Sequence, residues 1–125
     1  MIIHVFTKLK LLTILLAITL TIVGCEPRRE IIVDALASPA KFFPSKGERV
    51  MISYSLSAES KVSVIILDLN DRVTKFIVDR EIQSIGSYSY TWEGDDDSEE
   101  RVEAGIYYYE ILADEVRMRG RLSVN

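Results

Sequence analysis

Beyond about residue 30, apolar and polar residues alternate with a period of two through much of the chain. In "VMISYSLS", Ile52, Tyr54 and Leu56 fall on one side, while Ser53, Ser55 and Ser57 fall on the other. Such alternation marks a strand with one buried face, because successive side chains leave a pleated backbone in opposite directions. The same pattern predicts seven strands, at 31–37, 49–57, 60–69, 72–79, 86–92, 105–113 and 116–124. Turn-forming residues separate them at intervals of roughly ten, the spacing of an all-β sandwich. The third strand carries Val62, Val64 and Ile66 on one face and Ser63, Ile65 and Leu67 on the other. Two large apolar residues on that second face predict a central strand or a covered face. Asn70 and Asp71 tolerate the left-handed backbone of a tight hairpin and predict the turn into the fourth strand. The fifth strand presents Tyr88, Tyr90 and Trp92 together, with Ser87, Ser89 and Thr91 opposite, and the sixth aligns Tyr107, Tyr109, Ile111 and Ala113. The predicted core is therefore strongly aromatic, with Tyr90, Trp92, Tyr107 and Tyr109 facing inward. Gly94 and Gly105 bound the connection between those two strands. On the seventh strand Arg117, Arg119 and Arg121 form a row, the pattern of a solvated face or a charge-protected edge.

The N-terminal segment follows different rules. Leu11 to Gly24, "LLTILLAITLTIVG", has no charge and is preceded by Lys8 and Lys10. A membrane-crossing helix needs about 20 apolar residues, whereas a secretory signal needs roughly 7 to 15 behind a positive flank. The segment fits the signal helix better than a retained span. Its end, Ile22-Val23-Gly24-Cys25, resembles the bacterial lipobox. That resemblance implies cleavage before Cys25, a diacylglycerol thioether on its sulfur and acylation of the new amino group. The organisation read from the sequence is then a signal peptide at 1–24, a lipidated tether at 25–30 and a β domain at 31–125. Cys25 is the only cysteine, so no disulfide within the chain braces the domain. Two or more acyl chains hold a protein stably on a bilayer, which makes the membrane its first expected partner. Glu26 stands where the lipoprotein resemblance associates Asp with inner-membrane retention, so the expected address in a two-membrane cell is the outer membrane.

Across the β region, the order of landmarks "FFPSKGERVMISYSLS", "KVSVIILDLNDRVTKFI" and "GSYSYTWEGDDDSEERVEAGIYYYEILAD" resembles the immunoglobulin-like domain at the C-terminal end of flagellar hook-capping proteins. The resemblance is carried by Pro44, Leu56, Val62, Val64, Ile66, Asp68, Arg72, Val73, Trp92, Gly94, Val102, Gly105, Tyr107 and Tyr109. It implies an immunoglobulin-like antiparallel sandwich used as a spacer, subunit contact or attachment module, without catalysis. Three positions depart from the family pattern: Asp71 replaces the hairpin glycine, Glu93 an aspartate, and the loop "DDDSEE" lacks its usual glycine.

Charge and chemistry narrow the function further. The only histidine is His4, so the region from Cys25 onward has no imidazole for a nucleophile triad or a zinc site, and a lipidated Cys25 leaves no free thiol. The segment 93–103 carries seven carboxylates against Arg101, and its net charge of −6 equals that of the whole chain from Cys25, with 13 basic and 19 acidic residues. The acidity is local. Spacing from Asp95 puts Glu100 and Ile106 where an EF-hand needs glycine and glutamate, so that motif fails. A looser calcium site using Asp95, Asp97 and Glu99 remains as an alternative to a solvated loop. Exposed carboxylates without a cleft make poor glycosidase pairs, and the acidic balance disfavours nucleic acid. Tyr108, predicted to face outward, leaves glycan stacking as a further alternative. The sequence thus predicts a non-enzymatic, cofactor-free, lipid-anchored envelope protein whose domain contacts a protein partner. Its alternative is a ligand-binding module for glycan or calcium.

Overall fold

The computed structural model describes residues 30–125. The signal segment, Cys25 and all of the tether except Glu30 lie outside the described residues. The described residues form eight strands in two packed sheets. In chain order these are β1 (Ile32–Ser38), β2 (Lys41–Phe42), β3 (Val50–Leu56), β4 (Ser60–Leu67), β5 (Val73–Gln83), β6 (Gly86–Trp92), β7 (Gly105–Ala113) and β8 (Val116–Val124). One sheet has the order β1-β3-β6 and the other β2-β8-β7-β4-β5. Pairing is antiparallel except for the short parallel contact of β2 with β8. The fold is the all-β, immunoglobulin-like sandwich expected from the alternation, and among the described residues no helix is long and apolar enough to cross a membrane.

The two-residue β2 is an addition to the predicted seven strands. It forms where Phe42 is drawn fully into the core beside Val124, inside a loop whose prolines concealed it. β5 also runs four residues beyond its predicted end, to Gln83. Its extension, Arg80-Glu81-Ile82-Gln83, is exposed up to Gln83 and turns a polar rather than an apolar side chain inward, so alternation gave no sign of it. Arg80 adopts φ 49, and its N–H donates to Ser63 Oγ at 3.0 Å, a bulge that bends the strand over β4.

Inward-facing residues of both sheets meet in one core. Val50, Ile52, Tyr54, Val62, Val64, Ile66, Trp92, Ile111 and Leu122 are among its most deeply buried members. β4 is central, lying between β5 and β7, and Ile65 and Leu67 on its outer face are also buried. The arginine row on β8 is only partly a solvated face. Arg117 pairs with the buried Glu110 at 3.3 Å, and Arg119 pairs with Asp71 and lies 4.2 Å over the Tyr108 ring. These contacts link β8 across the outer face to β7 and to the β4–β5 turn. The hydrogen bond to Asp71 holds the Arg119 proton more firmly than usual.

Candidate functional site

The acidic connection between β6 and β7 begins at a sealed aromatic base. Trp92 is fully buried, with Phe42 meeting it edge-on at 5.5 Å and Tyr107 tilted against it at 5.6 Å. Its indole Nε1–H donates to the carbonyl of Asp95 at 2.8 Å, so the loop satisfies the one polar atom of the core tryptophan. Gly94 has φ 79, and a Cβ there would lie 2.6 Å from Pro44 Cγ. Left-handed backbone and close approach both require glycine at this point. On the far side, Tyr107 donates its hydroxyl to the carbonyl of Glu103 at 2.8 Å, anchoring the loop's exit as a tyrosine corner does. Burial, followed by the nearby Glu103 and Asp68 charges, pushes the Tyr107 hydroxyl pKa upward. Gly105 opens β7 opposite Val124, and Tyr109 is buried against Gly120.

The carboxylates above this base divide into two groups. Asp95 forms an ion pair with Lys75 of β5, both side chains being about three-quarters buried. Asp96 Oδ1 accepts from the N–H groups of Ser98 and Glu100, each at 2.9 Å, and so organises the turn from within. Asp97 joins the loop to the edge of β5: its N–H donates to Thr74 O and its Oδ1 accepts from the Phe76 N–H, both at 3.1 Å. Glu93, Glu99, Glu100 and Glu103 are exposed. The loop is thus solvated at its four glutamates, while its three aspartates are spent on holding the connection. Consecutive aspartates at a turn can supply such bonds, but only the approach of β5 revealed the partners.

The candidate calcium ligands Asp95, Asp97 and Glu99 do not converge. Asp95 turns to Lys75 and Asp97 to the β5 backbone, while Glu99 points into solvent from a residue with φ 62. Among the described residues, no group of three or more Asp, Glu, His or Cys is arranged to hold a metal ion. A surface groove of about 500 Å³ runs beside the loop, lined by Asp68, Thr74, Asp96, Asp97, Arg101 and Glu103 among others.

The second aromatic cluster lies farther along β6. Tyr54 is buried and stacks on Tyr88 at 5.6 Å and Tyr90 at 6.3 Å, but both partners remain half-exposed. Tyr90 thus packs against the core without being enclosed by it, since β6 is the last strand of its sheet. Tyr54 Oη donates to the buried Gln83 Oε1 at 2.6 Å, and Gln83 Nε2 donates to Tyr90 Oη at 2.9 Å. Burial, with the neighbouring Tyr90 as the next cause, pushes the Tyr54 pKa far upward. Gln83 was not legible as a core residue, because an amide carries no apolar signal and its neighbour Ile82 carries the only one there.

Residues 42–115, from β2 to just beyond β7, match the FlgD Ig-like domain. The chain belongs to the FlgD Ig-like domain family. Two of its three departures from the family pattern have a structural account. Asp71 and Glu99 take φ values of 61 and 62, so the left-handed turns at the hairpin and the acidic loop form without glycine. Among solved structures, the chain is similar to part of PorZ, described as a surface component of the type-IX secretion system of Porphyromonas gingivalis, at 19% identity and a TM-score of 0.51. That similarity covers 73% of this chain but only 11% of PorZ. FlgD from P. aeruginosa is similar at 21% identity and a TM-score of 0.49, over 76% of each chain. No curated protein matches the chain. Membership in this family suggests a structural or interaction module.

Proposed function

We propose that this chain is a lipid-anchored envelope protein, carried on the outer membrane where the cell has one, whose FlgD Ig-like domain is a non-enzymatic structural or protein-contact module. The observation that carries the reading is the use made of the acidic segment. Its aspartates bind Lys75, the loop backbone and the β5 edge, which is the work of a rigid connection. A catalytic carboxylate needs an accessible reacting partner, whereas these groups support the fold. The lipobox-like Ile22-Val23-Gly24-Cys25 supports the anchor. With only residues 26–31 between Cys25 and β1, a tether of about 3.5 Å per residue holds the domain close to the lipid headgroups. Cys25→Ala expressed in a bacterial host should lose labelled fatty acid and move from the membrane to the soluble fraction. Unchanged membrane retention, with no label on the wild type, would sink the anchor.

A further inference from the structure

We propose that two copies of this chain pair through the free edge of β6, antiparallel and about a two-fold axis at Ser89, joining their three-stranded sheets into one of six strands. The two sheets present four edges, at β1, β6, β5 and the β2/β8 side. Three carry features that oppose strand addition. β1 is broken by a register shift, with Asp34 at φ 54. β5 has its first residues bonded to Asp97 and its later ones bent at Arg80. β8 is paired at its C-terminal end by β2 and carries the arginine row along the rest. Bulges, charges and covering segments are the usual means of blunting an edge.

β6 has none of them. Its pairing with β3 runs from Gly86 to Trp92 without a shift, and its sequence, Gly-Ser-Tyr-Ser-Tyr-Thr-Trp, holds no charge and no proline. Among the described residues, no hydrogen bond other than those of the β3 ladder reaches the backbone of 87–91. An uncharged, regular strand with unpaired N–H and C=O groups is a template for another strand.

The sequence of the edge selects a second copy as the occupant. Ser87-Tyr88-Ser89-Tyr90-Thr91 is nearly a palindrome. With Ser89 opposite its own copy, Tyr88 faces Tyr90 of the second copy and Ser87 faces its Thr91. Each hydroxyl then meets a hydroxyl and each ring meets a ring. The domain already uses this chemistry on the other side of β6, where Ser53 and Ser89 lie 3.2 Å apart, Ser55 and Ser87 3.0 Å apart, and Tyr54 stacks on Tyr88. Glu93 would face Ile85, which is 70% exposed, so the register opposes no like charges and covers an apolar residue.

The test is oxidative crosslinking of the full-length chain in membranes of an expressing cell, with the unsubstituted chain setting the background from Cys25. Ser89→Cys should give a disulfide-linked dimer, since residues facing across an antiparallel pair lie within disulfide reach. Ser53→Cys, on the interior strand of the same face, should stay at background. Ser87→Cys should dimerise only when co-expressed with Thr91→Cys. Adding Ser89→Lys to that last pair should abolish its dimer while leaving the circular dichroism melt of the purified chain unchanged. Background-level crosslinking at Ser89→Cys, equal crosslinking at Ser53→Cys, or a product of another mass would each overturn the pairing.

Discussion

The two aromatic clusters of the sandwich share a strand and an alternation, yet one is sealed and the other is open. Trp92 at the end of β6 is roofed by Phe42, Pro44 and the acidic loop, and its single polar atom is satisfied by that loop. Tyr88 and Tyr90, on the same face of β6, lie beside the Gln83 network with no further strand beyond them. The difference is one of cover rather than of side-chain type. A period-two pattern orients a residue toward the interior, but a segment distant in sequence must arrive to exclude water from it.

Breaking the sealed end should cost most. Trp92→Ala removes the largest fully buried side chain and should lower unfolding stability by about 3–5 kcal/mol, read from the denaturant midpoint by circular dichroism. A loss under 1 kcal/mol would mean that the roof is not tight. Gly94→Ala tests the roof without touching the ring. The left-handed backbone and the clash with Pro44 together should cost about 2–4 kcal/mol.

The open end should respond less and through its polar network. Tyr54→Phe leaves the buried Gln83 Oε1 without its donor and should cost about 1–3 kcal/mol, part of which Gln83→Leu in the same chain should restore. Alkaline titration probes both ends together. Burial raises the pKa of Tyr54, Tyr107 and Tyr109 above the ordinary 10.0, so the folded state holds protons that the unfolded chain releases. Their contribution is fully present below 10.0 and is lost as pH rises through the folded values, because the folded state then binds more protons than the unfolded one. Urea midpoints should fall on that side of the profile, less steeply in Tyr54→Phe, and a flat profile would contradict the burial.

The smallest effects belong to the acids of the loop that make no contact with β5. Asp96→Ala should cost about 1–2 kcal/mol through the loss of two backbone hydrogen bonds, whereas Glu99→Ala and Glu100→Ala should stay within about 0.5 kcal/mol. Millimolar calcium should leave the melting temperature unmoved. A rise that disappears in Asp95→Asn would restore the calcium reading.

Much of the fold was legible because each sheet buries one face. Alternation located β6, β7 and β8 at their observed bounds and β3 within a residue at each end, and Asn70-Asp71 announced the hairpin. β2 escaped because its two residues are too few to show a period, and the end of β5 because the strand bulges at Arg80 and then exposes Ile82 while burying Gln83, the reverse of an apolar-in pattern. At the loop, Trp92 and Gly94 carried strong local signals, while the partners of Asp95 and Asp97 lie some twenty residues away on β5 and left no trace in spacing.

Alone, the sequence determined the all-β class, the inward direction of the aromatic rows, the family, and the absence of an imidazole beyond His4, because these depend on residue identity and a local period. Only the tertiary structure decided which aromatics are sealed, which carboxylates are spent on the fold, and that β6 alone among the edges is left unguarded. Those outcomes depend on which strands become neighbours, and burial and hydrogen bonding are properties of neighbours.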